Sequence, residues 1–499
     1  MSDTIPTTAA AASADESAAA TAETARIGSR NRLAISILLV STFVVILNET
    51  IMSVAVPQLM DDLGIQASAA QWLTTAFLLT MAIVIPITGF LLQRFSTRSV
   101  FIAAMSLFSA GTLIAAIAPG FEVLLVARVV QAMGTAIMIP LLFTTVLTLV
   151  PEQSRGRVMG NISIVISVAP AVGPTISGLI LNVLDWRWMF IIVLPIGIIA
   201  LILGIVRIPN VSEPRATPLD MVSVVLSAIG FGGLVYGLSG LGETEGGIAN
   251  ALVWAPLAFG AIGFTLFVLR QLKLQQRNIA LLDLRTFASK PFAMSIVMIM
   301  ISMVALFGTI ILLPIYTQRV LGLDALTTGL MLLPGGLVMG LLAPFVGRFY
   351  DKHGPTVLVV PGSIIVSSAL WVMTMFGVDT ALWMVVGAHV MLSIGLALLF
   401  TPLFTSGLAS IKPSLYSHGS ATVSTVQQLA GAVGIAVFIT VMTARENALV
   451  SGGSSVLDAT AAGIHSAFVC GAIISLIAIP VSFFIRKPAS NGAPVPVGH

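Results

Sequence analysis

The 499-residue sequence predicts an all-α membrane protein with fourteen spanning helices, and three observations predict it. Hydrophobic residues make up 57% of the chain and charged residues only 9%. A soluble domain carries about 25% charged residues, so there is too little charge here to coat a water-exposed surface. Apolar runs of about 18 residues or more recur along the whole sequence, and each can cross a hydrocarbon layer ~30 Å thick. A soluble chain with a greasy core does not produce such runs. The loops between the runs also alternate in basic content, as loops on the two sides of a membrane do.

Taken in order, the first ~25 residues are Ala-, Ser- and Thr-rich with Asp15, Glu16 and Glu23. No basic stretch precedes an apolar one there, so this is not a secretory signal. Residues 1–30 read as a disordered, solvated tail. The predicted spans are 33–56, 70–92, 99–118, 121–149, 157–181, 187–206, 218–239, 250–270, 292–317, 326–347, 355–376, 381–409, 418–443 and 463–485. The fourth and twelfth exceed the minimal length and tilt or extend beyond the bilayer. An even number places both termini on one side. With the N-terminus in the cytoplasm, 19 of the 23 Lys and Arg face inward. Arg187, Arg319 and Arg445 face outward, Arg128 falls within a span, and the acidic residues divide almost evenly. All six Trp fall toward the outer side, where interfacial anchoring accounts for them. The spans group as a six-helix bundle at 31–209, an inserted pair at 210–275, a second six-helix bundle at 276–487 and a disordered tail at 488–499. The loop 271–291 reads as the hinge between halves, and its basic residues as contacts for anionic headgroups.

Several function classes are excluded. The net charge is +3, with no basic cluster interleaved with aromatics, so nucleic acid is not the partner. The lone Cys470 forms no internal disulfide and reads as a packing residue. Five His and one Cys show no ligand spacing, so no metal and no cofactor are expected. No nucleophile clusters with a base, so the chain is not an enzyme. No Gly-rich phosphate loop with Lys is present, which points to an ion gradient rather than ATP as the energy source.

An ionised side chain within the membrane is costly and is a functional candidate by default. Glu49 in the first span and Arg128 in the fourth are the strong candidates. At 1.5 Å per residue they lie about 12 Å and about 10 Å below the outer face, so neighbouring helices would bring them together. Glu49 is then either locked in an ion pair or protonated during transport. Burial disfavours a charged carboxylate and a nearby cation favours it, so a site that rewets between two states can take up and release a proton. Arg128 stays charged and either biases Glu49 or braces helices. His389, in the twelfth span, is a third candidate at similar depth, for packing or for protonation. Asn48, Gln131, Thr309 and Gln428 are hydroxyls and amides that could set substrate specificity.

At these residues the sequence resembles the fourteen-span drug:proton antiporter branch of the major facilitator superfamily. The likeness covers nearly the whole chain apart from its tails. The first span reads Leu47-Asn48-Glu49-Thr50-Ile51 through Val56-Pro57, resembling the lincomycin-export subgroup. The branch's usual aspartate is Asn48 here and the acid stands one place later. That step turns the side chain about 100° around the helix. The fourth span carries Arg128, Gln131, Ala132 and Gly134. The fifth carries the antiporter pattern as Gly160, Pro170, Gly173, Pro174 and Gly178. The loop after the second span, with Arg94 and Arg98, has Gln93 where the family has an acid. The later copy keeps Gly347, Arg348 and Asp351, so a cytoplasmic gate braced by Asp351 is expected.

The resemblance implies two six-helix bundles related by a pseudo-twofold, with a cavity lined by spans one, four, nine and twelve. It implies alternating access by rocking: a proton-coupled antiporter of the bacterial cytoplasmic membrane, expected as a monomer, exporting amphipathic drugs. Export of a lipid or an endogenous metabolite on the same fold is the alternative.

Overall fold

The computed structural model describes residues 7–211, 214, 218–243 and 251–486. Arg215, Lys487 and the tail expected at 488–499 lie outside the described residues. Among the described residues, fourteen helices are long and apolar enough to cross a membrane, and no strand is present. In chain order they are α1 (Thr7–Leu63), α2 (Ala67–Arg94), α3 (Thr97–Ala116), α4 (Phe121–Leu149), α5 (Arg155–Leu181) and α6 (Arg187–Arg207). Then comes α7, which runs Met221–Ser227, through a π-helical turn at Ala228–Gly232, into Gly233–Glu243. The rest are α8 (Ala251–Leu274), α9 (Lys290–Ile315), α10 (Ala325–His353), α11 (Thr356–Met373), α12 (Leu382–Ala409), α13 (Tyr416–Ser451) and α14 (Val456–Leu476).

Local chemistry sets several helix starts. Ser96, Asp220 and Asp324 each accept a hydrogen bond from a backbone N–H three residues on, which satisfies an otherwise orphaned donor. Gly354 ends α10 with φ +80°, a conformation that a side chain resists. Two differences from the sequence reading have physical causes. The segment expected as a disordered tail is helical from Thr7, in keeping with its run of alanines; only Ser29–Met52 of α1 has the character of a span. Pro86, Pro140, Pro314 and Pro402 lie inside helices, and α1 continues past Pro57 to Leu63. Packed neighbours compensate for a freed backbone group within a membrane.

The helices form two six-helix bundles that share one packing pattern. In the first, α1 packs on α4, α5 and α6, α4 on α2 and α3, and α3 on α6. In the second, α9 packs on α12, α13 and α14, α12 on α10 and α11, and α11 on α14. Each pair recurs eight helices later, which is the pseudo-twofold. The bundles meet through α5 with α10 and α2 with α13, a pair of contacts that the same operation exchanges. Of the six Trp, Trp72, Trp188, Trp254, Trp371 and Trp383 are exposed. Trp186 is instead fully buried, edge-on to Phe190 and under the Arg187 guanidinium.

Helices α7 and α8 pack together against the second of these pairs, α2 and α13. Phe231 and Phe267 join Phe90 and Ala421 in one apolar cluster there, and Tyr236 stacks on Trp72. At their basic-face ends Arg270 donates to both carboxylate oxygens of Asp220, at 2.6 and 2.7 Å. That pairing, with the Ser223 bonds, holds the Asp220 carboxyl down to about 2, against desolvation acting the other way. The folded state therefore binds this proton more weakly than the unfolded chain. The pair's contribution is fully present above about pH 4 and is lost as pH falls toward 2. About a third of the Arg270 side chain is exposed, so the contribution is ~1 kcal/mol after screening. Asp220→Asn should lower the melting temperature in detergent at neutral pH, and the gap from the parent should close between pH 4 and pH 2.

Candidate functional site

A buried polar cluster lies where α1, α2, α3 and α4 meet. Arg128 on α4 is fully buried. Its Nη1 donates to Asn48 Oδ1 on α1 at 3.4 Å and to Gln131 Oε1, one turn along α4, at 3.2 Å. Its Nε donates to the Leu73 carbonyl on α2 at 3.4 Å, and its guanidinium stands 4.1 Å from the centre of the Phe77 ring. Gln131 Nε2 donates onward to Thr112 Oγ1 on α3 at 2.9 Å. Three acceptors around one planar fork, with an aromatic face against it, are what guanidinium geometry suits and a Lys ammonium does not. The network braces four helices. Gly111 makes the α3–α4 approach possible, because a Cβ there would come within 2.6 Å of the Gln131 backbone nitrogen.

Glu49 is beside this cluster but not in it. Among the described residues no ion pair joins it to Arg128; Asn48 takes that place. The one-residue step along α1 turns Asn48 inward, where it is buried, and leaves Glu49 half-buried. Asn48 Nδ2 is buried without a partner. The next residue, Thr50, bonds to the Leu47 carbonyl and reaches the Ala169 carbonyl of α5 at 3.5 Å. Gly173 of α5 lies directly against the Thr50 hydroxyl, so α1 and α5 touch beside the carboxylate.

The other candidates are dispersed. Thr309 on α9 is fully buried with its hydroxyl unpartnered, and Gln428 on α13 is half-buried. His389 on α12 is buried against α10, facing the Leu332 carbonyl and the Gly335 backbone, with Nδ1 unpartnered. It packs within the second bundle and is not brought to Arg128. Pro170 is half-buried within α5, and the Pro174 side chain lies outside the described residues. Gly160 allows close approach, since a Cβ would come within 2.5 Å of the Ala343 carbonyl. Gly178 does not serve that purpose, as nothing lies within 4 Å of its Cβ position.

On the basic face the two bundles are bonded together. Asp351, at the end of α10, accepts from the N–H groups of Gly156 and Arg157 at 2.8 and 2.9 Å. These are the second and third residues of α5, whose own N-cap, Ser154, makes no side-chain cap. A carboxylate from one bundle thus caps a helix of the other, where the helix dipole favours negative charge. Gly347 lies against the Gly156 backbone. Ser163 bonds Thr401 at 2.8 Å and Thr144 bonds Ser420 at 3.0 Å, both across the bundles. Arg155 caps α4 through the Val150 and Leu147 carbonyls and faces the Tyr416 ring of the other bundle at 5.7 Å.

Of the expected gate residues, Gly347 and Asp351 are brought together with the opposing bundle. Arg94, Arg98 and Arg348 are exposed, and among the described residues none of their guanidinium groups bonds across the seam. Arg155, Gly156, Tyr416 and the hydroxyl pairs were not foreseen. Small residues at the ends of α5 and α13 were the available signal.

The Major Facilitator Superfamily pattern matches residues 38–435. The chain is 43% identical over 454 residues to lincomycin resistance protein LmrB of Listeria monocytogenes, covering 90% of this chain and 95% of that one. Its identity to the LmrB protein of Bacillus subtilis is 40% over 456 residues, with the same coverage. The multidrug resistance protein B homolog of Mycobacterium tuberculosis is 28% identical over 402 residues, 80% of this chain and 74% of that one. In fold, the chain is similar to the human organic anion transporter MFSD10, with a TM-score of 0.65, 14% identity and coverage of 91% and 99%. It is also similar to the proton:xylose symporter XylE, with a TM-score of 0.59, 13% identity and coverage of 91% and 96%. With its doubled six-helix packing and its matching sequence pattern, the chain belongs to the major facilitator superfamily and is a multi-pass membrane transporter rather than an enzyme.

Proposed function

We propose that the chain exports cationic amphipathic small molecules, antibiotics among them, in exchange for protons. The basic face is then cytoplasmic, the membrane is the bacterial cytoplasmic membrane, and a single chain suffices. The observation that carries the reading is Glu49, a half-buried carboxylate within a membrane-crossing helix, which forms no ion pair among the described residues. Such an acid has a charge to offer to either a proton or a cation, and competition between them gives exchange. The unpartnered Asn48 Nδ2 supplies a donor beside it for a polar atom of the substrate. The bonds between bundles on the basic face describe the half of the cycle in which the cytoplasmic mouth is shut. Names carried by relatives, for lincomycin and for multidrug resistance, agree with this cargo class.

The test is a resistance panel in a strain lacking other pumps, with an uncoupler added during dye or drug efflux. Resistance to several cationic amphipaths, and efflux that stops when the proton gradient collapses, are expected. Efflux that persists without a gradient removes proton coupling. Lipid movement in reconstituted vesicles without drug efflux replaces the cargo.

A further inference from the structure

The two seams between the bundles are not built alike. On one, Asp351 caps α5 and glycines bring α5 and α10 into contact. On the other, pseudo-symmetry puts Gln93 where Asp351 stands. Among the described residues its amide reaches only the Ser414 carbonyl, at 3.5 Å. Here the connection between α8 and α9 enters the seam. Ala280, Leu281, Leu282 and Asp283 are all buried, so this part of the loop read as the hinge between halves is packed chain. The buried acid is engaged too: Asp283 pairs with Arg285, which also donates to Asn278.

The Leu281 peptide is held from three sides. Gln271, near the end of α8, is fully buried, and its Oε1 accepts from the N–H groups of Leu281 and Leu282 at 2.8 and 3.3 Å. Its Nε2 donates to Ser223 Oγ on α7 at 2.8 Å, and Ser223 bonds Asp220. Both ends of the amide are therefore satisfied, as burial in a membrane protein demands. On the opposite side the Leu281 carbonyl faces the buried ring of His418, the third residue of α13. On the third side is α2: a Cβ on Gly89 would stand 3.4 Å from the Leu281 oxygen and 3.2 Å from His418 Nδ1. One peptide thus links the inserted pair to the helices of both bundles.

We propose that Gln271 and His418 are the two ends of a latch through which the inserted helix pair holds the Leu281 peptide in the α2–α13 seam and keeps the basic-face mouth shut. Gln271 is a positioning residue that acts through the linker backbone. When the bundles part, α2 withdraws from Leu281 and the peptide loses one wall of its site. The seam that lacks an acidic cap is the seam this latch reinforces. The inference rests on the alternating-access reading above.

The test uses the full chain in lipid nanodiscs, with Cys470→Ser and a single reporter thiol, Ser417→Cys, buried at the start of α13 on this seam. Gln271→Ala and His418→Leu should each speed maleimide labelling of that thiol by about three- to tenfold, the worth of one or two lost hydrogen bonds. The double variant should label no faster than the faster single. A second reporter, Ser109→Cys, buried inside the first bundle against Gly197, should not change. Unchanged labelling at 417 overturns the latch, as does an equal rise at 109 or a doubling of effects in the double variant. If the 417 thiol resists labelling in every background, parent included, the alternating-access reading falls and the latch with it.

Discussion

Glu49→Gln is expected to abolish gradient-driven efflux while leaving expression and melting temperature unchanged. The substitution keeps the shape of the side chain and removes only its capacity for charge. Glu49 is half-buried and carries no ion pair among the described residues; it feels the Arg128 charge only through space, and the hydrogen bonds that brace the helices do not pass through it. The Arg128 fork stays satisfied by Asn48, Gln131 and the Leu73 carbonyl. Were Glu49 instead the fixed counter-ion of Arg128, removing it would strand a buried guanidinium at a cost of about 3–5 kcal/mol, and the protein would melt early. The two roles therefore separate on one variant. A second readout follows the proton itself. Substrate added to the parent protein in weakly buffered detergent should release protons, and Glu49→Gln should release none. Glu49→Asp, one methylene shorter, should retain part of both. Full efflux in Glu49→Gln, or a large loss of stability, would remove this carboxylate from the mechanism.

The architecture was legible because it rests on bulk properties. Span length and the one-sided distribution of Lys and Arg survive any error of a few residues at a helix end. Arg128 was legible for the same reason, as a charge where hydrocarbon excludes charge. Its partner was not. Which neighbour a buried guanidinium selects depends on the rotation of α1 about its axis, and hydropathy carries no rotation. The clue was the displaced acid, since one step along a helix separates Asn48 from Glu49 by a third of a turn. The gate divides in the same way. Asp351 could be read from its motif, but its partners are the backbone N–H groups of Gly156 and Arg157, and backbone donors have no sequence signature. Arg94, Arg98 and Arg348 share the composition of a gating loop, yet they face solvent. His389 was left open between packing and protonation, and depth along a span does not say which helix a residue faces; it faces Leu332 and Gly335 of α10.

Gly347→Ala should leave the transporter unable to close its basic face, and transport should be lost. A methyl group at 347 would overlap the Gly156 carbonyl oxygen and come within 2.8 Å of the Gly156 carbonyl carbon and 3.2 Å of the Arg157 Cα. All three atoms are backbone, so no flexible side chain can swing aside. The bundles must instead part at this point, and parting them pulls Asp351 from the two N–H groups it caps. The same methyl is harmless once the seam is open, so the substitution favours the open state rather than unfolding the chain. Cytoplasmic-side thiol labelling near the seam should rise, while substrate binding from that side persists. Gly178→Ala provides the contrast. It adds the same atom to α5, where nothing lies within 4 Å, and alanine is the better helix former by roughly 1 kcal/mol. Transport in that variant should match the parent, with equal or higher stability. If Gly347→Ala transports normally, the α5–α10 contact does not need to close as tightly as it stands, and Asp351 is not its latch.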